Sequence, residues 1–153
     1  MSEEIQLKIK KCFEESISVK QDVIQKGAYK PLLKAGDAIA ESIRNGNKLM
    51  ICGNGGSAAD AQHLAAEFLV RLTSEVNRES IPAISLALDT STLTACLNDY
   101  GPDVIFKRVL SGLAQEGDTL LAITTSGNST NVIEALKFAQ LKGLLNDFLT
   151  DFF

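Results

Sequence analysis

The chain has 153 residues, 45% hydrophobic and 22% charged, which suits one globular domain. A net charge of −4 argues against a surface built for nucleic acid or acidic membranes, no apolar run approaches a membrane span, and no secretory leader opens the chain. Cys12, Cys52 and Cys96 are odd in number and widely spaced, which points to free thiols in a reducing cytoplasm rather than a disulfide framework.

Residues 3 to 26 predict a long amphipathic helix, with Ile5, Ile9, Cys12, Phe13, Ile17 and Val23 or Ile24 on one stripe and Gly27 as its end. A second helix is expected from about Tyr29 to Arg44, with Leu32, Leu33, Ala35, Ile39, Ala40 and Ile43 inward and Asn45-Gly46-Asn47 as its stop. Two helices before the first strand exceed what a small sheet needs for cover. Residues 1–46 are therefore expected to serve oligomerisation within the same domain, the first helix packing on a neighbouring subunit, and residues 47–153 to form the α/β part.

The most informative stretch follows. Leu49 to Cys52 suits a buried strand, with Cys52 packed as a small hydrophobe. Gly53, Asn54, Gly55 and Gly56 then allow a tight turn that a ligand can approach closely. Ser57 and Asp60 have capping-box spacing, so a helix is expected to start there, with Ala58, Ala61, Leu64, Ala65, Phe68 and Leu72 facing the core. Strand, glycine turn and helix together aim backbone N–H groups and the positive helix end at an anion. His63, Glu67 and Arg71 share a stripe of the same predicted helix; spacing alone also allows a solvated face with an ordinary i,i+4 pair.

Residues 73 to 80 read as a polar loop and Ile81 to Leu88 as a second strand with Pro82 near its start. Asp89-Thr90-Ser91 marks a turn or cap, Thr92 to Leu97 a short helix, and Asn98 to Pro102 a loop. Val104 to Ala114 looks helical, and Thr119 to Ile123 is the third strand. The loop Thr124 to Thr130 is glycine plus hydroxyl and amide side chains, able with its backbone to cradle a phosphate, although Ser, Thr and Asn are also ordinary turn residues. Asn131 and Glu134 have capping spacing at the next helix. Right-handed crossovers give a parallel sheet, and strand order 2-1-3 would set the two turns side by side at the carboxyl ends of adjacent strands. The dinucleotide and nucleoside-triphosphate fingerprints are absent, so the expected ligand is a small phosphorylated molecule and no nucleotide cofactor.

Cys52 to Ser57, Gln62-His63 with Glu67 and Arg71, Asn98-Asp99, and Thr125 to Ser129 closely resemble the phosphoheptose isomerases of the sugar isomerase (SIS) fold family. The resemblance runs from about residue 5 to about residue 143. It implies a three-layer α/β/α SIS-type parallel sheet of flavodoxin-like order with an N-terminal helical extension. It further implies a cytoplasmic homotetramer that interconverts sedoheptulose 7-phosphate and D-glycero-D-manno-heptose 7-phosphate for lipopolysaccharide precursors. By the resemblance, Asn54, Gly55, Gly56 and Ser57 line the sugar-phosphate site, Thr124, Thr125, Ser126 and Ser129 hold the phosphate, Asn98 and Asp99 contact the sugar, and Arg71 helps shape the site. Glu67 would be the general base and, with His63, part of a zinc site that this chain leaves incomplete.

After Gly143 the chain departs from the family pattern, and His63 is its one histidine. A C-terminally truncated product is expected, lacking the last strand and helix, with an atypical tail from residue 144 and impaired activity. The tail residues Phe148, Leu149, Phe152 and Phe153 are expected to cover part of the open sheet. The alternative is a non-catalytic SIS protein that binds a partner, similar to the bacterial factor that assembles the replication initiator; Ile9 to Ile17 somewhat resembles the N-terminal segment of that factor. The retained Glu67 and the intact 124–129 loop favour the isomerase. No helix-turn-helix of a sugar-phosphate-sensing regulator is seen.

Overall fold

The computed structural model describes residues 3–145. The chain divides into two compact units, Met1–Lys34 and Ala35–Phe153, with the boundary inside the second helix. The first unit contains helix α1 (Glu3–Lys26), which buries none of its residues. Its charged face is laced by i,i+4 pairs such as Lys8–Glu4 at 2.7 Å and Lys26–Asp22 at 2.9 Å. Its apolar stripe stands open: Ile9, Phe13, Ile17 and Ile24 are all exposed. The helix closes where Gly27 was expected to close it, with the Ala28 N–H donating to Val23 O and the Gly27 N–H to Ile24 O.

Helix α2 (Lys30–Arg44), in which the boundary falls, runs on to the same kind of stop at Gly46. Of its predicted inward residues Ala35 is buried and Ile39 packs against the core, whereas Leu32 and Leu33 on its first turns are exposed. The sheet is parallel with order β2-β1-β3: β1 (Leu49–Gly53) in the middle, β2 (Ala83–Ser85) and β3 (Thr119–Ile123) on either side. This is the predicted 2-1-3 order, and β1 is buried along its whole length.

Alternation along β1 builds the two faces. Met50 and Cys52 join Leu120, Ala122, Cys96, Phe106, Leu110, Val132 and Leu136, so α4 (Thr90–Tyr100), α5 (Ile105–Leu113) and α6 (Thr130–Leu141) cover that side. Leu49 and Ile51 join Ala61, Ala65 and Leu121, so α3 (Gly56–Leu69) covers the other. The result is the expected α/β/α arrangement. Cys52 lies in the core, where burial pushes its thiol up to about 12; it is a packing residue and not a nucleophile.

Several boundaries differ from expectation. β2 spans three residues rather than Ile81 to Leu88. Pro82 O and the Leu86 N–H still bond to β1, but the Ile81 N–H is spent on Phe68 O at the end of α3 and the Ala87 N–H on Ser85 Oγ, so the ladder goes no further. α4 continues through Asn98, Asp99 and Tyr100, which were read as loop, because the stop comes only at Gly101 and Pro102. Asp89 caps it as foreseen, accepting from the Ser91 N–H at 3.0 Å. Beyond the three strands, Leu145 makes an isolated parallel bridge to Thr119, its N–H donating to Asp118 O and its carbonyl accepting from the Leu120 N–H. The predicted cover by Phe148, Leu149, Phe152 and Phe153 lies outside the described residues.

Candidate sugar-phosphate site

The site is assembled at the carboxyl ends of β1 and β3. The ladder pairs Gly53 with Ile123, so the loop after each strand starts from a neighbouring point. Gly53 is there because nothing larger fits: a Cβ would lie 2.7 Å from Ser57 Cβ and 2.9 Å from Ile123 O. Gly53→Ala is therefore expected to force α3 and β3 apart and to cost about 1–3 kcal/mol. Urea titration of the variant checks this; a loss below about 0.5 kcal/mol would show that the approach is slack.

The turn itself is set by Gly55, whose φ of 55° and ψ of −120° strongly favour glycine. α3 begins at Gly56 with Gly55 as its N-cap and no side-chain cap bond. The predicted Ser57–Asp60 capping box therefore does not form. The Gly55 carbonyl already accepts from the Ala58 and Ala59 N–H groups, and Ser57 sits inside the first turn. Asn54, Gly55 and Gly56 are exposed at the loop tip and Ser57 is half-buried.

On the facing loop Thr124 is buried, with its Oγ1 3.4 Å from Ser129 Oγ, while Thr125 and Ser126 are exposed. Ser126 Oγ accepts from the Asn128 N–H at 3.2 Å, and Asn128 Nδ2 donates back to Ser126 O at 2.8 Å. Ser129 is the N-cap of α6, so the expected cap by Asn131 and Glu134 is also corrected. Glu134 turns instead to Lys137 at 2.8 Å and Lys107 at 3.5 Å. The Lys137 hydrogen bond and charge hold its carboxyl below the usual range, with Lys107 adding to them. Asn131 reaches across to the first loop: Asn54 Nδ2 donates to Asn131 Oδ1 at 2.9 Å and Asn131 Nδ2 to Asn54 Oδ1 at 3.0 Å. The loop after β1 is thus tied to the first turn of α6, where the second loop ends.

Glu67 lies on α3 with its side chain 23% exposed. Its Oε1 is 3.5 Å from His63 Nε2, while its Oε2 is buried and finds no hydrogen-bond partner among the described residues. A desolvated carboxylate oxygen left open is costly in a purely structural role and useful in proton transfer. Arg71 does not complete the stripe, because α3 ends at Leu69 and Arg71 is exposed beyond it; Leu72, expected inward, is 76% exposed.

The cation that does serve this helix is Arg78, which sequence reading missed. Its guanidinium donates to Glu67 O at 2.6 Å and Phe68 O at 2.8 Å, satisfying carbonyls at the C-terminus of α3. Asn98 and Asp99 are exposed on the last turn of α4 and bond each other at 2.8 Å. A cavity of about 370 Å³ lies apart from these residues, lined by Ile84, Leu88, Asp89, Arg108 and Leu113.

A parallel sheet sandwiched by helices, with two small-residue loops tied together at adjacent strand tips, defines a ligand-binding α/β domain of the switch-point type. The SIS domain signature matches residues 12–145, and the chain belongs to the SIS domain family. It is 57% identical over 106 residues to the phosphoheptose isomerase of Chlorobaculum parvum, covering 69% of this chain and 51% of that protein. It is 48% identical over 132 residues to that of Shewanella oneidensis, covering 86% and 66%. Among solved structures, phosphoheptose isomerase GmhA from Neisseria gonorrhoeae superposes with a TM-score of 0.84 at 41% identity over 93% of this chain and 72% of that one. A phosphoheptose isomerase from Francisella tularensis gives 0.85 at 35% over 95% and 74%. The chain spans about half the length of the first curated relatives it matches. Nothing in these relationships supports the initiator-binding alternative.

Proposed function

We propose that this domain binds a phosphorylated sugar across the two loops and serves the isomerisation of sedoheptulose 7-phosphate and D-glycero-D-manno-heptose 7-phosphate. The observations that support it are the tie between the loop after β1 and the start of α6, and, further along α3, a carboxylate whose buried oxygen has no hydrogen-bond partner among the described residues. Thr124, Thr125, Ser126 and Ser129, with the N-terminus of α6, take the phosphoryl oxygens. Asn54, Gly55, Gly56 and Ser57 line the sugar, Asn98 and Asp99 contact its hydroxyls, and Arg71 closes the outer side. Glu67 Oε2 removes the proton from the carbon beside the carbonyl. The electron pair left behind forms the C1–C2 double bond of an enediolate, its charge on the former carbonyl oxygen; the proton of the C1 hydroxyl passes to that oxygen, the carboxylic acid returns its proton to C2, and C1 becomes the new carbonyl.

Zinc requires more than this chain's described residues offer. His63 and Glu67 supply two donors, and among the described residues no group of three or more His, Cys, Asp or Glu could hold a metal. No step is routed through it.

Titration with sedoheptulose 7-phosphate, followed by 31P NMR, tests the site. The ligand's phosphorus signal is expected to shift or broaden with the wild type, and to do so far less with the Ser126→Ala/Ser129→Ala variant. Equal effects from both proteins would overturn the assignment.

The apolar face of α1 supports a cytoplasmic homo-oligomer, a tetramer by family likeness, with residues 1–46 as its assembly segment. No described helix is long and apolar enough to cross a membrane. Light scattering is expected to give a tetramer for the wild type and smaller species for Ile9→Glu/Phe13→Glu; a monomeric wild type would refute this.

A further inference from the structure

We propose that Asn131 is a positioning residue: paired reciprocally with Asn54, it holds the two ligand-facing loops at one separation so that a single phosphorylated ligand meets both. This rests on the sugar-phosphate reading above.

Asn54 and Asn131 are 77 residues apart in sequence and meet through two hydrogen bonds, of 2.9 and 3.0 Å. Two primary amides facing each other in this way close a ring. Each uses one of its two N–H groups and one carbonyl lone pair, and rotating either side chain breaks both bonds. A second N–H and a second lone pair on each amide stay available to a ligand's oxygens.

The placement suits positioning. The strand pair Gly53 with Ile123 fixes where both loops start, and the amide pair fixes the first loop against the first turn of α6, where the second loop ends. Asn131 is free for this because the start of α6 does not need its side chain: the Val132 and Ile133 N–H groups both donate to Ser129 O. Asn54 is exposed and Asn131 half-buried, so the bonds compete with water and add little to folding. Their effect falls on the ordering that a ligand would otherwise have to impose when it binds.

A double-mutant cycle over Asn54→Ala, Asn131→Ala and the pair tests this in the full chain. Dissociation constants are read with inorganic phosphate by 31P NMR and with sedoheptulose 7-phosphate by calorimetry. Asn131→Ala is expected to weaken both ligands about tenfold, with melting shifted by less than about 3 °C. In the Asn54→Ala background the same change is expected to matter less than about twofold, because the partner is already gone. Wild-type protein is expected to show a nuclear Overhauser cross-peak between the two side-chain amides. If Asn131→Ala fails to fold, Asn131→Ser takes its place in the cycle. An equal loss with and without Asn54, or a missing cross-peak, overturns the inference and leaves the sugar-phosphate reading standing. Wild-type protein that binds neither ligand removes that reading, and the inference with it.

Discussion

Glu67→Gln is expected to lower the exchange of substrate carbon-bound hydrogen with solvent by roughly 10²–10⁴-fold while leaving sugar-phosphate affinity nearly unchanged. The amide keeps the shape of the carboxylate and its place on α3, but it cannot accept a proton from carbon. Incubating sedoheptulose 7-phosphate in deuterium oxide and following label at C1 by NMR reads the proton abstraction itself. It does not require the later proton transfers at oxygen to be efficient. The choice of position rests on the buried Oε2, which has no hydrogen-bond partner among the described residues. Unchanged label uptake in Glu67→Gln would exclude it as the base.

Asp118→Ala is expected to be the most damaging structural change, at about 3–5 kcal/mol. Asp118 is 1% exposed and anchors the start of β3. Its carboxylate accepts from Lys48 Nζ at 2.6 Å, from the Lys48 N–H at 3.0 Å and from the Gln115 N–H at 2.7 Å. Removing it orphans two backbone donors and leaves the half-buried Lys48 ammonium without its partner. Nearby, Ser42 Oγ donates to Gly117 O at 2.6 Å, so the end of α2 is held to the same turn. A loss of this size lowers the melting temperature by roughly 6–20 °C in a domain of this length. Calorimetry and urea titration check it; a change below about 1 kcal/mol would show that the ion pair is dispensable.

The sheet and its order were legible because each strand is an apolar run closed by glycine or small polar residues, and because crossover handedness leaves few arrangements. The two loops were legible for the same reason. What failed were signals with a local rule and a tertiary competitor. Ser57 and Asn131 look like caps, but the backbone carbonyls two residues earlier, of Gly55 and Ser129, already do that work. Asn98 and Asp99 look like turn residues, yet the helix runs on to Gly101. Arg78 and the Asn54–Asn131 pair could not be read, since each joins groups that only the folded chain brings together. The stripe on α1 was legible as amphipathic, but periodicity does not say what covers it.

Arg78 has one more consequence. Its guanidinium and the Ile81 N–H both close onto the end of α3, so the segment between α3 and Arg78 begins and finishes at a single anchored spot. Residues 72–77 can therefore be lengthened, shortened or exchanged for a foreign peptide without levering on the helix that carries Glu67, with Val70 and Arg71 left in place. Such a closed collar is where a reporter tag or a graft belongs, so long as Arg78 is kept.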